Sequence, residues 1–186
     1  MNRRFFVIGD IEMGKNDIMD DFHDDDALVR FIEYAGAHDD DEVTLILNGD
    51  VFDFLKMDYE GTYPRAITED ISLWKMERVL EAHPKVFGAW KSFLEQPQSK
   101  MVFVIGNHDA DVVWPAVQNR LRQALGQNDG VHSKVSFTHA FENEHFHAQH
   151  GNLIDPVFGF DHTNPIIEYK GKSILNLPLG AQISTQ

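Results

Sequence analysis

Three short apolar runs in this chain each end on a glycine beside a polar side chain able to hold a metal: Gly9-Asp10, Asn48-Gly49-Asp50 and Gly106-Asn107-His108-Asp109. The runs themselves, Phe5 to Ile8, Thr44 to Leu47 and Met101 to Ile105, have the length and the β-branched or aromatic content of buried strands. Helical patterns separate them, which predicts a largely parallel sheet. In such a sheet the loops beyond the carboxyl ends of the strands open into one crevice. Asp10, Asp50, Asn107 and His108 can therefore meet although they are far apart in sequence. Glycine beside each polar residue lets the backbone turn sharply and approach a ligand closely.

The length of 186 residues and a hydrophobic content of 42% fit one soluble globular domain. Sixteen basic against thirty acidic residues give a net charge of -14, which repels a phosphate backbone and argues against a general nucleic-acid binder. An anionic substrate then needs a local cation. The run Asp39-Asp40-Asp41-Glu42 reads as a solvated face without chemistry. The chain has no cysteine, so disulfides, thiolate catalysis and Cys-based zinc sites are excluded, and a metal site must draw on Asp, Glu, His and Asn. The apolar run after Met1 to Arg4 meets Asp10 too soon for a signal peptide, and no stretch reaches membrane-spanning length. The expected location is the cytoplasm.

Further along, an acidic loop from Glu12 to Asp21 leads to a helix that Asp24 or Asp25 can cap, with Leu28, Phe31, Ile32 and Ala35 on one face. An irregular aromatic stretch, Val51 to Tyr63, precedes a helix over Thr68 to His83 that Pro84 breaks, and a second helical piece runs to Gln96. After the third strand a short helix carries Val117, Leu121 and Leu125 on one stripe and ends at Gly126. Asn128-Asp129-Gly130 signals a turn. Beyond it, Val135 to His139 and His145 to His150 read as an antiparallel pair, and Gly171-Lys172 as a turn in the tail.

Divalent metals that hydrolyse phosphate esters need hard oxygen ligands, one or two imidazoles, and open positions for water and substrate. Asp10, Glu12, Asp50, Asn107, His108 and His150 supply that mixture at strand ends, the last within His147-Ala148-Gln149-His150-Gly151-Asn152. Taken together, Asp10-Ile11-Glu12, Gly49-Asp50-Val51-Phe52-Asp53, Gly106-Asn107-His108-Asp109 and His150-Gly151 resemble, in order, the blocks of the calcineurin-like metallophosphoesterases.

The resemblance spans roughly residues 4 to 156 and implies a layered α/β sandwich with two central mixed sheets over a single domain, 1–186. It implies a phosphoesterase with two divalent metal ions, in which Asp50 bridges both, Asp10 binds the first, and Asn107 with His150 binds the second. By the same resemblance His108 is no ligand. It faces the substrate and protonates the leaving oxygen while activated water attacks phosphorus in line, and Asp53 is the orienter of His108. The competing account of Asp53 is a cap on the following helical turn.

Two departures from the family pattern bear on the metal. Glu12 stands where the family has His, so the first position gains a third carboxylate and favours Mn²⁺ or Mg²⁺, with Fe²⁺ or Zn²⁺ less suited. The family's last block, Gly-His-x-His, has no counterpart here; Asp161-His162-Thr163-Asn164 lacks the glycine and the second His. The expectation is a domain lacking its C-terminal metal-ligand segment. Phe54 replaces the Arg of phosphoprotein phosphatases, and the loop Val51 to Arg65 is more similar to the branch near UDP-2,3-diacylglucosamine pyrophosphatases.

The expected substrate is a phosphorylated small molecule or nucleotide-like compound. The alternatives are a non-catalytic scaffold of the same fold and a metal-dependent nuclease, the latter disfavoured by the acidic balance. Tyr59, Tyr63 and Arg65 are candidate substrate contacts. His23 in its acidic loop, the strand-surface imidazoles His139, His145 and His147, and the helical Trp74, Trp90 and Trp114 read as structural.

Overall fold

A strand covered on both faces has no polar side to show, and the run Glu42–Asn48 is of that kind: every residue from Val43 to Leu47 is buried. It forms β2 of the computed structural model, which describes residues 2–38, 40–128, 133–178 and 180–181. Strand β1 (Arg3–Ile8) pairs with it on one side and β3 (Ser99–Val104) on the other, both in parallel. Strand β4 (Val135–Thr138) completes a four-stranded sheet in the order β1-β2-β3-β4. Asp39, Asp129 and Gly130 lie outside the described residues, and with the last two most of the expected Asn128-Asp129-Gly130 turn.

Because the strand order follows the chain and parallel crossovers are right-handed, the intervening helices must fall on one face of the sheet. Helix α1 (Asp25–Gly36) starts where Asp24 Oδ1 accepts the Ala27 N–H at 2.9 Å, with Asp25 and Asp26 favourably placed in the first turn. Helix α2 (Glu69–Ala82) stops at His83. Pro84 then opens α3 (Pro84–Glu95), a position where its missing N–H costs nothing. Helix α4 (Pro115–Ala124) also begins on proline. Helix α1 packs on α3, and α2 on α4.

The main core lies between sheet and helices. Leu45, Leu47, Met101 and Phe103 from the strands meet Leu28, Met76, Trp90 and Leu121 from the four helices. Phe103 sits at its centre, with ring centroids 6.1 Å from Phe52, 6.0 Å from Trp90 and 5.3 Å from Phe137. Trp90 and Trp114 are buried, as expected of core residues, and Trp74 packs edge-on against Tyr59 at 5.2 Å. The opposite face carries a smaller cluster, Ile46, Val102 and Val104, covered by Phe5, Phe141 and Phe146.

The expected antiparallel pairing of Val135–His139 with His145–His150 is corrected. Val135–Thr138 arrives after a helical crossover, so it joins the sheet edge in parallel with β3, where Phe137 extends the aromatic core. The antiparallel ribbon forms instead from β5 (Phe141–Glu142) and β6 (His147–Ala148). In the tail, β7 (Ile166–Tyr169) and β8 (Lys172–Leu175) make a hairpin. Its two-residue turn is Lys170-Gly171, with φ of 49° and 74°, one residue before the expected position. The result is an α/β layered fold: one parallel sheet, four helices, and two small antiparallel sheets among the described residues.

Candidate metal centre

Past the strand ends the first two loops continue to hydrogen-bond in parallel. The Asp10 N–H donates to the Gly49 carbonyl at 3.0 Å, Glu12 N–H to Asp50 O at 2.9 Å and Met13 N–H to Val51 O at 3.0 Å. Asp53 N–H donates back to Met13 O at 3.0 Å, and Phe54 N–H to His108 O at 3.2 Å ties in the third loop. This ladder holds Asp10, Glu12 and Asp50 at φ of 52°, 57° and 49°. Each non-glycine residue in that left-handed region costs about 1–2 kcal/mol, and such strain persists only where the surroundings over-determine it.

Two further devices lock the loops. Asp109 is buried and accepts Val51 N–H on Oδ2 at 2.8 Å and Gly106 N–H on Oδ1 at 2.6 Å, so it clamps the second block to the third. Burial and the Asp50 charge push its carboxyl up to about 7, against the pull of those two N–H groups. Asn48 holds the fourth block: its Nδ2 donates to the Gln149 carbonyl at 3.2 Å, and its own carbonyl faces His150 Nδ1 at 3.1 Å.

Asp10, Asp50 and His150 converge, each with a ligand atom within 4.8 Å of the others. A carbonyl only accepts, so His150 Nδ1 carries the hydrogen and Nε2 turns inward, 3.0 Å from Asp50 Oδ2. Burial opposes the charged imidazole, but the Asp50 hydrogen bond and charge outweigh it and raise His150 to about 9. The other oxygen of Asp50 accepts the His108 backbone N–H at 2.9 Å.

A second group shares Asp50 and adds Glu12 and His108, again within 4.8 Å. His108 Nδ1 donates to Asp53 Oδ1 at 3.2 Å and lies 3.9 Å from Glu12 Oε1. The Asp53 hydrogen bond raises the His108 pKa above its ordinary value, against burial. Asp53 is almost wholly buried; desolvation opposes its charge, yet hydrogen bonds from His108 and Lys56 hold its carboxyl below the usual range. Asp53 also accepts the Lys56 N–H at 3.3 Å, so it caps the turn and contacts His108 at once. Burial raises the Glu12 carboxyl, and the Asp53 charge adds to the effect.

Asn107, buried between Gly106 and His108, completes the sequence-expected set. Among the Asp, Glu and His side chains, His150 lies with Asp10 and Asp50, and Glu12 with Asp50 and His108. Tyr59, on which Trp74 packs, is engaged in a turn with Thr62. His162 stands against His139, with ring centroids 5.3 Å apart. His147 contacts Gln149, and His145 contacts Glu144.

A family model described as calcineurin-like phosphoesterase matches residues 3–181. The chain belongs to the calcineurin-like phosphoesterase family. No curated protein and no solved structure gives a significant match. Members of the family typically bind divalent metals, and the converging carboxylates and imidazole are placed where they could hold one. The donors are hard oxygens with an imidazole oriented by a carbonyl, as metal-bound histidines usually are. The backbone is shaped around them too: a Cβ on Gly49 would meet the His150 ring at 2.4 Å, and one on Gly106 would meet Asp50 Oδ1 at 2.1 Å.

One residue of this phosphoesterase site carried no sequence signal beyond its spacing. Lys56, three positions after Asp53, sets its ammonium 2.9 Å from Asp53 Oδ2, 3.6 Å from Glu12 Oε2, and against Asp21. Glu12, Asp21 and Asp53 form a third carboxylate group within 4.8 Å, and Lys56 neutralises it. Those contacts raise the Lys56 pKa despite its burial.

Proposed function

We propose that this phosphoesterase hydrolyses a phosphomonoester, phosphodiester or pyrophosphate bond in a small or nucleotide-like substrate, with two divalent cations, Mn²⁺ preferred. Asp10, Asp50 and His150 would hold one cation; Asp50 with Glu12 and Asn107 would hold the other. The oxygen-rich donor set favours harder ions over Zn²⁺. When bound, the cations supply Lewis acidity and an acidified water.

The remaining work falls to the protein. His108, its Nδ1 proton held on Asp53, keeps Nε2 for the leaving oxygen, and its raised pKa keeps the imidazole protonated nearer neutrality. Asp53 would orient the ring and balance its charge, and Lys56 in turn would fix Asp53. A proton delivered in line with the departing P–O bond spares the alkoxide from leaving as an anion.

The observation that carries this reading is the meeting, around Asp50, of two metal-capable groups with a carboxylate-held histidine beside them. Mn²⁺ should raise the melting temperature of the protein, and Asp50→Asn should abolish the shift. His108→Ala should keep the shift while losing about 10²-fold or more in hydrolysis of a generic phosphodiester. Equal Mn²⁺ stabilisation of wild type and Asp50→Asn would refute the site; loss of metal in His108→Ala would refute the division of roles.

A further inference from the structure

We infer that the metal centre opens onto an apolar recess that receives an aryl or short alkyl substituent of the phosphoester substrate. This rests on the proposed function and narrows its substrate class. The recess measures about 310 Å³, and its walls include Ile8 at the end of β1, Ile11 and Phe22 from the segment between β1 and α1, and Leu28 and Phe31 from α1. Among the described residues Asp10 is the one ionisable residue in its lining, and it also belongs to the Asp10–Asp50–His150 group. Two larger grooves, one beside α1 and α3 and one on the opposite face of the sheet, include no residue of the site.

Among the described residues β1 is an edge strand of the sheet, and Ile8 at its end is left half-buried. Helix α1 packs on α3, and Phe31 is left half-buried. A polar or charged substituent would find Asp10 and the Gly9 backbone as its nearest partners there and would lose its water without replacement. A hydrocarbon substituent loses nothing and covers the exposed apolar wall. The volume lies at the small end for ligand sites, which suits one ring or a short chain and not a pair of long acyl chains.

The test is calorimetric titration of the Mn²⁺-loaded chain with methyl-, propyl-, hexyl- and dodecylphosphonate, which bind without being hydrolysed. Affinity should climb about fourfold per methylene, the equivalent of ~0.8 kcal/mol each, over the first few carbons, and then level off. Ala27→Phe adds a ring at an exposed position in the recess wall on α1 and should flatten the series; a urea denaturation curve checks that the variant is folded. Equal affinity for methyl- and hexylphosphonate, or an Ala27→Phe series as steep as wild type, would overturn the recess and leave the metal reading standing. A series that keeps climbing through dodecylphosphonate would overturn the short-substituent assignment. Absence of binding by every phosphonate, with or without Mn²⁺, would overturn both readings.

Discussion

Gly106→Ala isolates the geometry on which the proposed metal site depends. The added methyl would stand 2.1 Å from Asp50 Oδ1 and 2.5 Å from the Asp50 backbone nitrogen. A side-chain oxygen can rotate away, but the backbone nitrogen cannot, because Asp50 is held at φ 49° between the Asp10 and Glu12 hydrogen bonds to its loop. The third block must therefore separate from the second by several tenths of an ångström or more, at the ~1–3 kcal/mol typical of overpacking. Moving the Asp50 carboxylate also strains the His108 N–H bond at 2.9 Å, a hydrogen bond to a charged group worth about 1.5–3 kcal/mol.

Against this, replacing glycine restricts the unfolded chain and returns about 0.4–1 kcal/mol. The net expectation is a loss of roughly 3 kcal/mol, read by urea denaturation of the metal-free protein, together with loss of the Mn²⁺-induced rise in melting temperature. Gly88→Ala is the matched control: it lies within α3 with nothing within 4 Å of the added methyl, and should stabilise by about 0.5–1 kcal/mol. A Gly106→Ala protein that lost less than ~1 kcal/mol and kept the Mn²⁺ shift would refute the reasoning, since such a loss is small against typical stabilities.

Lys56→Met removes the cation from among Glu12, Asp21 and Asp53. It should cost about 2 kcal/mol in the metal-free protein, less than a fully buried pair because Lys56 is partly exposed. Divalent cations should then stabilise the variant more than wild type, and an equal thermal shift would show that Lys56 is not standing in for one. His108→Asn should reveal a pH-dependent term. The folded pKa of His108 lies above its ordinary 6.5, so the contribution of the His108–Asp53 pair is fully present below pH 6.5 and is lost as pH rises through the folded value. The destabilisation measured in urea should be larger at about pH 5.5 than at about pH 9, and a pH-independent difference would contradict that account.

Much of the site was legible in the sequence because each block is local. An apolar run of strand length, a glycine and a carboxylate or amide form one continuous stretch, and parallel topology sends the ends of such stretches to the same crevice. The cap at Asp24 and the break at Pro84 were equally local, since each depends on hydrogen bonds within one turn. The pairing of Val135–Thr138 was not. An extended run looks alike in either kind of ladder, and its place was set by the α4 crossover and the aromatic contact with Phe103.

The sequence by itself placed Asp10, Asp50, Asn107 and His108 just beyond the ends of β1, β2 and β3. Tertiary structure decided how they group. Beyond a strand, a side chain's direction follows left-handed backbone positions at Asp10, Glu12 and Asp50 that are fixed by hydrogen bonds from other loops. That is why His150 meets Asp10 across Asp50, why Glu12 turns toward His108, and why Lys56 reaches three carboxylates from separate segments. The recess beside Asp10 is of the same kind: its walls come from β1, the segment that follows it and α1, which only the fold brings together.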